Sequence, residues 1–387
     1  MPTSLNVNSA DFRTRLSELL GQVRGGAAVT VMQWDRAIAA AVPPSRELLA
    51  RASEQATLTE LRQNLRSYLN RAAQHTLVVV TEHGRPTAIL GPTHLALPHH
   101  ASPILTGGQR MPRVVTFYNQ AGGVGKTSLS RDIAYLLSRR GFRTLLIDHD
   151  PQASLTMFLG LHLTSESADG TVRAADLPLA HTVYAAITDE EAALPQPTRI
   201  SDSLDIIGST SKLSRASALL MNERDLLLNL RRKLHARSDY DVVIIDAPPG
   251  REVLALNALI AADDVVVVTS TNSKSLDNLH NVLEVVDNAR SAVQAVEPEH
   301  DLAVRLFAVT QFTPNQRHDQ ESLEYLQNFS QAVPVSTPVR FRSAVFKDAQ
   351  LYHLPVPAYL PRNPAVQELE TLTDEFVQAL NLRAVAS

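Results

Sequence analysis

Residues 114–137 read VVTFYNQAGGVGKTSLSRDIAYLL, and this stretch decides the fold of most of the chain. A strand-length apolar run enters a glycine-rich turn. The turn opens a segment whose apolar residues recur at helical spacing. Gly122, Gly123 and Gly125 leave the backbone free to wrap an anion and aim its N–H groups inward at a helix start, with Val124 and Ser128 in the same wrap. Lys126 is placed to reach β- and γ-phosphates, and the Thr127 hydroxyl to hold Mg2+. The usual spacing of such a loop, G-x-x-x-x-G-K-(S/T), puts its first glycine at position 120, where this chain has Gln. The end of the motif is kept and its beginning is changed.

Downstream of Arg113 apolar strands alternate with helical stretches, the pattern of an α/β fold with a doubly wound, mostly parallel sheet. Residues 143–156, RTLLIDHDPQASLT, carry Asp148 and Asp150 at a strand end. Two carboxylates one residue apart share a face or leave the strand together toward the phosphate edge. Residues 240–250, YDVVIIDAPPG, form a second such strand ending in Asp246, whose carboxylate is suited to a magnesium-bound water.

At 387 residues the chain calls for two or three domains. It has no cysteine, which excludes disulfides, thiolate zinc sites and cysteine nucleophiles. No secretory pattern opens it, and apolar runs such as residues 265–268, VVVV, are far short of a membrane span, so a soluble, cytoplasmic protein without a membrane partner is expected. Net charge is −4, divided unevenly: residues 1–100 hold ten Arg, no Lys and seven acids, leaving −7 for the remainder. The basic bias at the front permits DNA contact and equally suits a solvated surface.

That front part is duplicated. Residues 7–43 and 56–92 match without gaps at an offset of 49, with DFRTRLSELLGQV (11–23) over ELRQNLRSYLNRA (60–72). Leu16, Leu20 and Val23 fall on Leu65, Leu69 and Ala72, and Arg36 falls on Arg85. Each copy reads as an amphipathic helix followed by two short strands, the second pair joined by a turn at residues 83–86. The pattern resembles the DNA-binding domain of Phd/YefM-type antitoxins. That resemblance implies a small α+β module acting as a single-chain pseudo-dimer on residues 1–93, with Arg36 and Arg85 toward DNA. An oligomerisation platform that touches no nucleic acid fits the same repeat. Residues 94–111 read as a linker, and His99-His100 within it as solvated loop residues.

Residues 112–387 resemble the ParA branch of the ParA/MinD family of deviant Walker ATPases. The family loop is K-G-G-x-G-K-(S/T), and LLIDHDPQASLT and YDVVIIDAPPG match its two aspartate strands. Residues 204–216, 256–270 and 307–326 also fit that branch. The resemblance implies ATP and Mg2+ as ligands, Asp150 orienting the attacking water, and Thr127, Asp148 and Asp246 serving the metal. It places Gln311 and Pro338 at the base. Arg317, Arg340, Arg342 and Lys347 fall in the region that meets DNA nonspecifically.

In the family an early lysine of the loop crosses to the partner subunit's nucleotide. Ala121 stands there in this chain, and Arg251 is a candidate replacement. The function implied is a nucleoid-associated, homodimeric partition ATPase with a ParB-like centromere-binding partner. A nucleotide-gated DNA-binding regulator with little turnover and a toxin-neutralising module are the competing readings.

Overall fold

The computed structural model describes residues 4–8, 12, 14–25, 27–33, 36–44, 49, 52–73, 76–82, 84–91, 111–161, 163–166, 172–175, 177–191, 193–271 and 279–382. His83 and the segment holding His99-His100 lie outside them. The chain divides into two compact units, Met1–Ile104 and Leu105–Ser387.

The first unit runs β1 (Ser4–Asn8), α1 (Leu16–Arg24), β2 (Ala28–Gln33), β3 (Arg36–Val42), β4 (Glu54–Thr57), α2 (Leu58–Gln63), α3 (Leu65–Ala73), β5 (Val78–Glu82) and β6 (Arg85–Gly91). Its six strands form one sheet in the order β1-β2-β3-β6-β5-β4. A strand precedes each helix, β1 and β4, and pairs parallel with the strand after it. These leading strands are short: SLNVN alternates polar and apolar over only five residues, and EQAT has a single apolar residue and no period-2 pattern to announce it.

The offset of 49 recurs throughout this unit. The bulge between Val31 and Met32 recurs between Val80 and Thr81. At the junction, β3 and β6 pair antiparallel with Ala41 opposite Leu90, two residues that are equivalents of each other. A local two-fold axis therefore passes between them. One buried cluster joins Leu16, Leu20 and Val31 to their equivalents Leu65, Leu69 and Val80, and it includes Ala41 and Leu90. Helix α1 packs on β6 and α3 on β3, so each helix covers a strand of the other repeat.

The second unit begins with β7 (Arg113–Tyr118), α4 (Lys126–Arg139), β8 (Thr144–Asp148) and α5 (Ser154–Phe158). A small hairpin follows, β9 (Leu163–Glu166) with β10 (Val172–Ala175). Then come β11 (Thr198–Ser201), β12 (Leu204–Ile207), β13 (Val242–Asp246), α6 (Val253–Ala261), β14 (Asp264–Ser270) and α7 (Leu279–Gln294). The last elements used below are β15 (Ala303–Thr310), α8 (Arg317–Gln327), α9 (Ser343–Leu351) and α10 (Pro364–Ala379).

The sheet order is β11-β12-β8-β13-β7-β14-β15. Every pair is parallel except β11 with β12 at the edge. Successive residues of β7 face opposite layers: Val114 joins the core under α6 and α7, while Val115 and Phe117 join the core under α4 and α10. Both faces are covered, which is why strands such as VVIID and DVVVVTS are apolar without alternation. Strands β7, β8 and β13 end level with one another, Asp246 standing in register with both Asp148 and Phe117. The loops after these three strands therefore meet at one edge.

Because Leu90 fills the junction opposite the small Ala41, Leu90→Ala should destabilise the first unit by about 2–5 kcal/mol. Hydrogen exchange on the full chain checks it: amides of both repeats should lose protection together. Loss confined to the second repeat would mean that the repeats do not fold as one.

Candidate functional site

The loop between β7 and α4 is shaped by two glycines in the left-handed region, Gly123 (φ 74°) and Gly125 (φ 89°). Side chains there would cost about 1–2 kcal/mol each. Four neighbours hold it. The buried Asn119 donates from Nδ2 to the Val268 carbonyl (2.7 Å) and accepts the Ala121 N–H at Oδ1 (2.8 Å). Thr310 donates its hydroxyl to the Val124 carbonyl (2.6 Å), and the Gln311 side-chain amide donates to the Gly123 carbonyl. The Gly250 N–H donates to the Gln120 carbonyl (3.0 Å), tying the loop to the turn after β13. The cradle is thus rigidly organised by elements on three strands.

Lys126 lies beneath it, 6% exposed, with Nζ donating to the carbonyls of Asn119 (3.1 Å) and Ala121 (2.9 Å). Burial lowers its pKa, against the opposing charges of Asp246 and Asp150. The Ala121 side chain packs against the core under α4 and carries no charge into the loop.

The three aspartates part company. Asp148 is buried, and its Oδ2 accepts both the N–H (2.8 Å) and the hydroxyl (2.6 Å) of Thr156 while Oδ1 accepts the Asp150 N–H (3.2 Å). Burial still raises its pKa to about 6. This side chain thereby fixes the start of α5 beside the strand end. Asp246 is also buried; burial and then the charge of Asp148 push its pKa to about 8, opposed by a hydrogen bond from the Thr127 side chain and by Lys126. Its Oδ1 has no hydrogen-bond partner among the described residues. A desolvated oxygen beside a threonine hydroxyl fits a cation-bound water, so Thr127 and Asp246 suit Mg2+. Asp150 reaches the surface of a cavity, one oxygen accepting the Gln152 N–H (2.8 Å).

That cavity, about 400 Å³, is floored by Gly122, Gly123, Gly125, Lys126, Thr127 and Ser128. Gln311 lines it as well, while Val124 is buried under the loop. Pro338 is not among the lining residues, and its buried neighbour Val339 is. Arg340, Arg342 and Lys347, expected to face DNA, line this cavity too. Arg317 stands apart on α8, 91% exposed and paired with Glu321. In the first unit Arg85 is exposed on β6; Arg36 lies on β3, with its side chain outside the described residues.

The sequence reading missed Phe158, Phe341, Phe346 and Gln350 as lining residues and Thr156 as the partner of Asp148. Apolar residues at 341 and 346 flanking charged ones in residues 339–350 were the available signal.

Residues 112–296 match the AAA domain family. A probable plasmid-partitioning protein ParA of Thermus thermophilus is 36% identical over 273 residues, covering 70% of this chain and 80% of that protein. The chain belongs to the ParA/MinD family. Another relative, the maintenance of carboxysome distribution protein A of Synechococcus elongatus, is 30% identical over 61% of this chain and 88% of its own length. The ParA-type fold is also that of solved structures at low identity. Apo McdA of Cyanothece has a TM-score of 0.57 at 20% identity, over 69% of this chain and all of that one. A plasmid partition protein of Borrelia burgdorferi bound to AMPPNP has a TM-score of 0.53 at 20% identity, over 69% and 99%. The family match begins at residue 112, so the N-terminal unit lies outside it.

Two outcomes follow for this ParA-type site. Thr156→Val removes a donor from buried Asp148 and should cost about 1–3 kcal/mol in denaturant unfolding. An acid whose folded pKa is raised binds more protons when folded, so stability is lost as pH rises. For Asp246 the penalty grows from about pH 4 and is complete above about pH 8. Melts in nucleotide-free buffer with EDTA should show Tm falling across that window, and Asp246→Asn should flatten the fall.

Proposed function

We propose that the protein is an ATP-dependent DNA-partition protein. Mg-ATP at the phosphate loop controls homodimerisation and nonspecific nucleoid binding, and a ParB-like centromere-binding protein is the partner. The observation that carries this reading is the unpartnered buried oxygen of Asp246 beside Thr127, under a rigid glycine cradle that opens into a nucleotide-sized cavity. The partition-type relatives supply the cellular role. Arg85 and the duplicated N-terminal unit suit operator DNA, which the pseudo-two-fold arrangement would meet as a palindrome.

In this proposal Lys126 exchanges the carbonyls of Asn119 and Ala121 for phosphate oxygens, and its amine is charged when it does so. Thr127 and Asp246 would hold magnesium, which supplies charge that screens the phosphate oxygens from one another. Asp150, anchored by Gln152, faces the cavity where a water would be oriented, and Asp148 positions that turn through Thr156.

A second reading is favoured by one feature. Ala121 brings no cation to the start of the loop, which suits a nucleotide-gated DNA clamp with weak ATPase activity. A cation aimed at developing phosphate charge is worth about 10³-fold or more in rate. Arg251, exposed on the turn joined to Gln120 through Gly250, is the candidate substitute.

Sedimentation with ATP, ADP or no nucleotide, with and without random duplex DNA, tests the proposal. ATP alone should drive dimerisation and salt-sensitive DNA binding; identical profiles in all conditions would overturn it. Ala121→Lys should raise ATP turnover by about 10²–10³-fold, and an unchanged rate would show that position 121 does not limit it.

A further inference from the structure

We infer that Lys347 is a nucleotide ligand, holding the α-phosphate from the wall of the cavity opposite the loop. The inference rests on the cavity being an ATP site and adds a contact to it.

The cations around the cavity are not equivalent. Arg342 makes two hydrogen bonds to Glu368 (2.6 and 2.8 Å), and Arg340 is held by the same carboxylate through its backbone N–H (3.0 Å) and its guanidinium (3.4 Å). Arg342 is therefore charge-paired, and Arg340 shares the same carboxylate at longer range. Lys126 is buried under the loop and suited to the β- and γ-phosphates. Lys347 lines the same cavity, is exposed, and makes no ion pair or hydrogen bond among the described residues.

An exposed lysine without a partner is ordinarily just solvated. Here its helix is fixed against the phosphate loop. Gln350 on α9 donates from Nε2 to the Ser128 hydroxyl in the first turn of α4 (3.4 Å). Lys347 lies three residues earlier, on the same side of α9. Phe346 packs on the α4 and α10 core, and Ala349 is fully buried, so α9 cannot turn Lys347 away.

The first turn of α4 is where free backbone N–H groups converge on an anion. Ser128 follows Lys126 and Thr127 along that turn, away from the end at which Lys126 reaches. Val339, Phe341 and Phe346 also line this wall and give it an apolar surface suited to a nucleoside. A cation between an apolar wall and the start of α4 meets the phosphate that joins the nucleoside to the tail. This places Lys347 on the nucleotide, not on the DNA face to which its sequence position pointed.

Calorimetry with Mg-ATP and Mg-ADP on wild type, Lys347→Gln and Lys347→Arg tests this, with Lys126→Ala alongside and melting curves to establish folding. Lys347→Gln should weaken ATP and ADP equally, by about tenfold at low salt and less at high salt, with Lys347→Arg restoring most of the affinity. Equal affinities for wild type and Lys347→Gln would overturn the inference, as would a loss confined to ATP, which would mark a γ-phosphate contact. So would unchanged nucleotide binding with weakened DNA binding, the sign of a DNA contact. If wild type itself bound neither nucleotide, the cavity reading would fail, a result distinct from each of these.

Discussion

Two aspartates stand side by side at the ends of adjacent parallel strands, Asp148 on β8 and Asp246 on β13, and both are buried. Like charges so placed cannot both ionise without compensation. The chain answers differently at each. Asp148 is supplied with two donors by Thr156, and this starts α5 beside the strand end. Thr156 in turn accepts the Ser209 N–H (2.8 Å), and the glycine at 208 keeps that approach open, since a Cβ there would press on Leu177 Cδ1 (2.8 Å) and Thr156 (3.2 Å). Asp246 is left with Thr127, Lys126 and one unanswered oxygen. The edge is thereby built to receive positive charge, and the loop above it is built to receive negative charge.

The second requirement is met by backbone. The cradle depends on Gly123 and Gly125 and on carbonyls pinned by Thr310 and Gln311 from β15 and its exit, and by Gly250 from the turn after β13. Such a loop loses little entropy on binding an anion, because its conformation is fixed beforehand.

The α/β architecture was legible because each buried strand is bounded by turns and followed by a helical period, and the phosphate loop because glycine spacing is dictated by backbone geometry. What escaped was set by contacts distant in sequence. Asp148 and Asp150 stand two residues apart, yet their surroundings differ in a way the sequence does not display: Thr156 holds the buried Asp148, while Asp150 borders the cavity. That residues 340, 342 and 347 border the same cavity as the phosphate loop is set by chain packing between segments some 200 residues apart, which their local sequence does not carry. In the first unit the duplication was plain at an offset of 49, whereas the leading strands were not, since segments of five and four residues carry too little pattern to be read apart from the neighbour they pair with. The match of Ala41 to Leu90 shows how a tandem sequence closes on itself as a single sheet.

The central claim is that buried Asp246 awaits a cation and surrenders a proton to take it. Titration of Mg-ATP into the protein at pH 7, in buffers of different ionisation enthalpy, measures this directly. The account requires release of about one proton on binding, vanishing in Asp246→Asn. Heats independent of the buffer, or the same in that variant, would contradict it.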